Sequence, residues 1–359
     1  MIPRPPSLDS SSYIMMDATT ARVLVEFNSD EAKPPASLTK IMSSYVGAAE
    51  LDAGRVSKDE LVPVSVNAWK TPGSKMFIKE GTEVMFQDLV MGMVVQSGND
   101  ASVALAEHVA GSEPAFAEMM NQYTLSLGMT NSYFLNSTGL PDDGHVSTAR
   151  DMAILSISLI RDFPDHYALY KQTEFTFNDI HQPNRNRLLF LDKSVDGIKT
   201  GYTDAAGFCL AASAERSGMR LVTVVLGADS EESRIRDTKK LLSYGFRTFE
   251  TREVYDGSEV VSTARVSFGT ENEVWLVIGT PLTGTYWRGR ANQLEAEVET
   301  AEETMAPISQ GQELGTLRLK IEDEVFATVR VIAEWEVEES GFFSRSLESI
   351  GRWFGSLFE

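Results

Sequence analysis

The spacing of apolar residues changes abruptly near Arg252, and this break constrains the architecture more than any other feature of the 359-residue sequence. Upstream, helical spacing dominates. Leu38, Ile41, Met42, Tyr45, Val46 and Ala49 recur at intervals of three and four behind a Pro34-Pro35 stop. The same spacing predicts helices over 86–95, 101–109 and 113–127, the last closed by Gly128. Thr148-Ala-Arg-Asp151 reads as a capping box before a further helix, and 233–249 is helical again. Residues 12–28 alternate and turn at Ala18-Thr-Thr20 like a hairpin, while 205–228 holds strand-like runs such as Leu221-Val-Thr-Val-Val-Leu226, with a turn at Ser217-Gly218. An edge hairpin first, helices between and further strands late describe an α+β domain over residues 1–251.

From 252 to 338 the chain is rich in Val, Thr and Glu, with short alternating runs such as Val274-Trp-Leu-Val-Ile278 and Leu317-Arg-Leu-Lys-Ile321 between turn residues. That pattern is a small all-β domain. It carries no catalytic cluster and reads as a spacer or docking module. In 339–359, Phe343, Leu347, Ile350, Phe354 and Leu357 fall on one helical face, flanked by Phe342, Trp353 and Phe358. Aromatic residues concentrated beyond a finished domain suggest a helix lying in a membrane interface, held by apolar burial because its charges nearly cancel.

Composition narrows the function. Forty-two per cent apolar residues support a real core, and no run of about eighteen apolar residues occurs to span a bilayer. A net charge of −20 argues against nucleic acid as a partner, since phosphates are bound by a cationic face. The single cysteine, Cys209, lies among apolar neighbours and reads as a buried, inert thiol. His108, His145, His166 and His181 are scattered without metal-ligand spacing, so neither metal nor cofactor is expected. Met1-Ile-Pro-Arg-Pro-Pro-Ser7 has no apolar signal core, which leaves a cytoplasmic protein or one whose export leader has been removed.

Three polar motifs carry chemistry: Ser37-Leu-Thr-Lys40, Ser97-Gly-Asn99 and Lys199-Thr-Gly201. Singly each is weak; in this order, on these elements, they reinforce one another. Ser37 has a bland reading as a helix N-cap, but Lys40 then stands at the N3 position, where a capping box takes Glu or Gln and where a cation opposes the helix dipole. A local penalty of that kind is useful if the amine is to be neutral. The dipole, a second cation and burial each lower a lysine pKa, and a neutral amine one turn from a serine can take its proton. Ser97 and Asn99 fall in a loop able to face Ser37, the hydroxyl to relay a proton and the amide to hold a substrate carbonyl. Lys199 supplies the second cation from a strand, Thr200 a hydroxyl, and Gly201 room for close backbone approach.

Together these residues resemble the low-molecular-mass penicillin-binding proteins, the D-alanyl-D-alanine carboxypeptidases. Pro35-Ala-Ser-Leu-Thr-Lys-Ile-Met42, Gln96-Ser-Gly-Asn-Asp-Ala101, Ser147-Thr-Ala-Arg-Asp-Met-Ala153, Asp196-Gly-Ile-Lys-Thr-Gly-Tyr-Thr203 and Lys239-Lys-Leu-Leu-Ser-Tyr-Gly-Phe246 all look like family signatures. The resemblance implies an acyl-enzyme on Ser37 with Lys40 as base, and Ser97, Asn99, Lys199 and Thr200 organising the transfer. It also implies an oxyanion hole from the backbone N–H groups of Ser37 and Tyr202, and Arg234 on the terminal carboxylate of the substrate. Expected partners are peptidoglycan pentapeptide stems, β-lactams, and a membrane surface through the C-terminal helix. The expected location is the periplasm, at the outer face of the inner membrane. Two departures stand out. Tyr202 replaces a histidine, and Lys70-Thr-Pro-Gly-Ser-Lys75 is short for the loop that borders the site.

Two rival functions share the motifs. A β-lactamase needs a glutamate with an asparagine four residues on; Glu174 and Asn178 have that spacing but alternate like a strand. A non-catalytic penicillin-recognising module has no need of a base beside a serine. Removal of residues 340–359 is expected to release the protein from lipid vesicles while soluble activity is kept. Undiminished co-sedimentation after truncation contradicts the anchor.

Overall fold

The computed structural model describes residues 3–301 and 303–341, so the proposed amphipathic helix of 339–359 lies almost wholly outside the described residues. The chain divides into two compact units, Met1–Thr248 and Phe249–Glu359. The sequence pattern put the change at residue 252. The structure puts it three residues earlier, because the first strand of the second unit is already paired at Phe249.

In the first unit, β1 (Ser12–Asp17) and β2 (Val23–Phe27) form the expected hairpin. Its turn is shaped by Asp17, whose Oδ1 accepts from the N–H groups of Thr19 and Thr20. Strands β3 (Val195–Thr203), β4 (Gly207–Arg216) and β5 (Met219–Ala228) complete an antiparallel sheet of order β2-β1-β5-β4-β3. Ser217 and Gly218, both with positive φ, make the two-residue turn between β4 and β5. Leu221–Leu226 is apolar but for the buried Thr223 because both sheet faces are covered. Val222, Val224 and Leu226 join the large core with the helices. Leu221, on the other face, packs against helix α6 (Glu231–Thr248), close to Gly245.

At the centre of the large core is α1 (Thr39–Asp52), buried on every side from Thr39 to Ala48. Around it stand α2 (Phe86–Val95), α3 (Asn99–Ala110), α4 (Glu113–Leu127) and α5 (Ala149–Asp162). Gly128 ends α4 in the left-handed conformation, as read from the sequence. The capping box before α5 is only half made. Thr148 accepts from the Asp151 N–H, but the Asp151 carboxylate turns to Asn131 N–H and Ser132 Oγ instead of back to the cap. Residues 174–183 form a short hairpin, as the alternation around Glu174 suggested.

The second unit is all-β. Strands β6 (Phe249–Tyr255) and β9 (Leu282–Trp287) pair with each other. Strands β7 (Ser262–Ser267), β8 (Glu273–Val277), β10 (Glu295–Thr300), β11 (Thr304–Met305), β12 (Glu313–Ile321) and β13 (Glu324–Ala333) form a sheet of order β10-β12-β13-β8-β7-β11. Val274, Leu276, Leu317, Leu319 and Val331 are its core.

Helix α6 is tied to the start of the chain by Asp237. Its fully buried Oδ2 accepts from the N–H groups of Asp9 and Ser10 and from Ser10 Oγ. Asp237→Ala orphans the buried Ser10 donors and is expected to cost about 3 kcal/mol of stability, seen as a lowered denaturant midpoint. An unchanged midpoint contradicts this account of the anchor.

Candidate active site

Pro34-Pro35 ends the extended segment before it: Pro35 has already turned into the right-handed helical region (φ −78°, ψ −10°), and the chain enters α1 through a single 3-10 turn, Ala36–Leu38. Ser37 is therefore not an N-cap. The helix begins at Thr39 behind Leu38, and no side chain caps it. Lys40 lies one turn on, with its amine 3.2 Å from Ser37 Oγ. The same nitrogen is 2.7 Å from Asn99 Oδ1 and 2.6 Å from the Thr138 carbonyl oxygen. Lys40 is 1% exposed, and burial pulls its pKa down to about 7 against the opposing charges of Asp100 and Glu113.

The second motif joins α2 to α3. Ser97 takes a left-handed backbone conformation (φ 65°) that reverses the chain between the two helices. Its side chain is buried. Asn99 opens α3, and its amide is used at both ends: Oδ1 accepts from Lys40, and Nδ2 donates to the Pro72 carbonyl at 2.6 Å. The short segment Lys70–Lys75 thus closes directly on this residue. Gly73 has φ +90°, and a Cβ there would stand 2.5 Å from Asn99 Nδ2, so the approach requires glycine. Asp100, which sequence reasoning gave no role, is fully buried and accepts from the backbone N–H groups of Met76, Phe77 and Ile78. It holds the residues that follow that segment.

The third motif lies on β3, an edge strand paired only with β4. Its other edge faces the turn that carries Ser37. A Cβ on Gly201 would be 3.2 Å from Ala36 Cβ, the Pro35 oxygen and the Ser37 nitrogen. Glycine lets the strand lie against the serine backbone. Lys199 is buried, and its amine donates to the Thr200 carbonyl at 3.0 Å. Burial first, then Lys40, Arg234 and Arg185, push its pKa well below the ordinary lysine value. Thr200 is buried beside it, while the Tyr202 ring projects outward, lies tilted by 35° against Phe208 and donates its hydroxyl to Asp204.

Arg234, expected on a substrate carboxylate, is 6% exposed behind β3. It donates to the carbonyls of Gly201 (3.2 Å) and Cys209 (3.5 Å) and to Glu231 Oε1 (3.1 Å), leaving Nε without a partner. It braces the strand at Gly201 from within the protein. Cys209 is buried on β4, its thiol pushed up to about 11 by burial, as an inert thiol should be. Glu174 is a surface residue with His181 Nε2 3.7 Å away, and Asn178 occupies the adjoining turn.

Two contributors carry no motif. The Thr138 carbonyl has no side-chain signature, and Glu113 reads in the sequence only as an acidic residue at a helix start. His145, also buried, accepts from Leu135 N–H at Nδ1, so its Nε2–H is left to donate to Thr39 Oγ1 at 2.8 Å. Its pKa falls to about 4 through burial, keeping the ring neutral.

The family model described as D-alanyl-D-alanine carboxypeptidase matches residues 1–230, and that of the penicillin-binding protein 5 C-terminal domain matches 249–339. Among curated proteins, the D-alanyl-D-alanine carboxypeptidase DacC of Escherichia coli is 43% identical over 98% of this chain and 91% of its own length. DacF of Bacillus subtilis is 35% identical over 96% and 90% respectively. The crystal structure of penicillin-binding protein 5 from Haemophilus influenzae superposes with a TM-score of 0.90 at 38% identity, covering 94% of this chain and all of that one. With both units matched and the three motifs gathered around one buried amine, the chain belongs to the D-alanyl-D-alanine carboxypeptidase family.

Proposed function

We propose that this carboxypeptidase works through an acyl-enzyme on Ser37, with Lys40 in its neutral form as the base. One observation carries the reading: the Lys40 amine has two close acceptors, Asn99 Oδ1 and the Thr138 oxygen, and a third, longer neighbour, Ser37 Oγ. A neutral amine has two N–H bonds and one lone pair. The two carbonyl oxygens cannot donate, so they take both N–H groups, and the lone pair is left facing the serine hydroxyl. Ser37 Oγ attacks the carbonyl of the penultimate D-alanine as its proton passes to Lys40.

The remaining roles follow from position. The free edge of β3 suits an extended peptide, whose backbone can pair with it as an added strand. The N–H of Ser37, beside Gly201, and that of Tyr202 serve as the oxyanion donors. The Ser97 hydroxyl passes a proton to the departing D-alanine amine, and the Thr200 hydroxyl binds substrate. Lys199 attracts the terminal carboxylate, with Arg234 adding positive potential from behind the strand. Asn99 holds the Lys40 amine through Oδ1, and with one N–H on the Pro72 carbonyl its amide keeps a second N–H for a substrate carbonyl. β-Lactams acylate the same serine. The β-lactamase reading is weaker, since Glu174 is exposed on a hairpin. Peptidoglycan stems as substrate, a periplasmic location and attachment by the C-terminal segment complete the proposal. Among the described residues no helix is long and apolar enough to cross a membrane, and the apolar face of the terminal segment supports surface attachment.

Intact mass after benzylpenicillin is expected to show one lasting adduct, absent in Ser37→Ala, beside D-alanine release from a D-Ala-D-Ala peptide. Rapid penicillin turnover without D-alanine release refutes the carboxypeptidase reading. With Lys40 at about 7, the neutral fraction grows as pH rises, so the acylation rate should climb through that region and level off above it. A rate flat between pH 6 and 9, or one that falls, contradicts a lysine base. Lys40→Ala should lose roughly 10²- to 10⁴-fold in acylation rate.

A further inference from the structure

Between α4 and α5 the segment Asn136-Ser-Thr-Gly-Leu140 is tied into a strap by its own polar groups. Asn136 Oδ1 accepts from Thr138 N–H (3.2 Å), Thr138 Oγ1 (2.9 Å) and Gly139 N–H (2.8 Å). Its Nδ2 donates to the Leu140 carbonyl, and Leu140 N–H donates to Thr138 Oγ1. Glu113, the first residue of α4, closes the strap from outside: one carboxylate oxygen accepts both Ser137 N–H (3.0 Å) and Ser137 Oγ (2.7 Å).

With its nitrogens held on that side, the strap turns two successive carbonyls inward. The Ser137 oxygen accepts from Ser43 Oγ of α1 (2.6 Å) and Ser102 Oγ of α3 (2.8 Å). The Thr138 oxygen accepts from Lys40. Gly139 follows at φ +81°, where a Cβ would overlap the Ala36 carbonyl, so the strap lies directly on the turn that carries Ser37. Thr138 thus supplies one of the two acceptors that aim the Lys40 lone pair, and the Glu113 carboxylate holds the Ser137 N–H, two peptide groups before that carbonyl.

We propose that Glu113 is a positioning residue of the reaction: by holding the Ser137 peptide it keeps the Thr138 carbonyl on the Lys40 amine, and so directs the lone pair that receives the Ser37 proton. The inference rests on the reading of Lys40 as base. When the Glu113 clamp is released, the strap keeps its bonds to Asn136, Ser43 and Ser102 but loses its tie to Glu113, and the Thr138 carbonyl can shift off the amine. The amine then has one fixed acceptor instead of two, and its lone pair no longer has a set direction. The charged groups that face Lys40 are Asp100 from α3, Glu113 from α4 and Lys199 from β3. Glu113 can be tested apart from the others because its geometry and its charge can be removed separately.

The test is the acylation rate with benzylpenicillin as a function of pH, on full-length protein. In Glu113→Gln the amide oxygen can accept the same two bonds, but the charge is gone. In Glu113→Ala both are gone. The alanine variant is expected to lose about tenfold or more of the high-pH plateau rate, as misdirected reacting groups do. The glutamine variant should stay within about threefold of the wild-type plateau, with its inflection moved to lower pH, because a negative charge that favours the ammonium has been removed. An alanine variant with the wild-type plateau overturns the proposal, and so does a glutamine variant that falls as far as alanine. If thermal melting shows Glu113→Ala unfolded, Glu113→Asp takes its place: one methylene shorter, it draws the carboxylate off both clamp bonds and keeps the charge, and a wild-type plateau there overturns the proposal equally. Lys40→Ala separates the two levels. Wild-type acylation in that variant sinks the base assignment, whereas an inert Lys40→Ala beside an unimpaired Glu113→Ala sinks the Glu113 role alone.

Discussion

Burial of one lysine amine is the constraint around which the first unit is organised. Lowering the Lys40 pKa from 10.5 to about 7 disfavours its ammonium form by about 5 kcal/mol, a large part of the stability of an ordinary domain. The protein tolerates this because the neutral amine is well bonded and because Asp100 and Glu113 limit how far the pKa falls. A lysine buried to this depth without those carboxylates would sit lower still, and one left in solvent would be protonated and useless as a base.

That amine draws together segments far apart in the chain. The nucleophile turn, the Asn99 end of α3, the strap before α5 and the edge of β3 all meet within hydrogen-bond or van der Waals reach of Ser37 or Lys40. Glycine makes the tight approaches possible: Gly73 against Asn99, Gly139 against Ala36, Gly201 against Ser37. Each stands where a single added carbon would push two backbone segments or a backbone and an amide apart. The edge position of β3 matters as much. A central strand would have both edges paired and nothing to offer a peptide; β3 has one edge spent on β4 and the other beside the serine.

Parts of the site were legible because their residue types report their chemistry. Ser37, Lys40, Ser97, Lys199 and Gly201 were readable from spacing, and the structure brings Ser37, Lys40, Asn99 and Gly201 into one cluster, with Lys199 close enough to feel the Lys40 charge. Other parts need the structure. Asn99 and Arg234 read in sequence as substrate contacts; the structure adds partners that no motif shows, the buried Lys40 amine on Asn99 Oδ1 and the Gly201 carbonyl on Arg234. The Thr138 carbonyl could not be found at all. A backbone oxygen has no residue type, and its partner is 98 positions away.

The sequence alone determined most of the elements: the helix stop at Gly128, the Ser217-Gly218 turn, the strand run Leu221–Leu226, and a change to β-structure that it placed within a few residues of the break at 249. These are local matters of φ, of periodicity and of turn chemistry, and neighbouring residues settle them. Tertiary structure alone decided which protonation state Lys40 favours, where the Asn99 amide points and which way the Thr138 carbonyl faces. Those depend on dielectric and on partners contributed by distant segments, and no window of sequence contains both members of the pair.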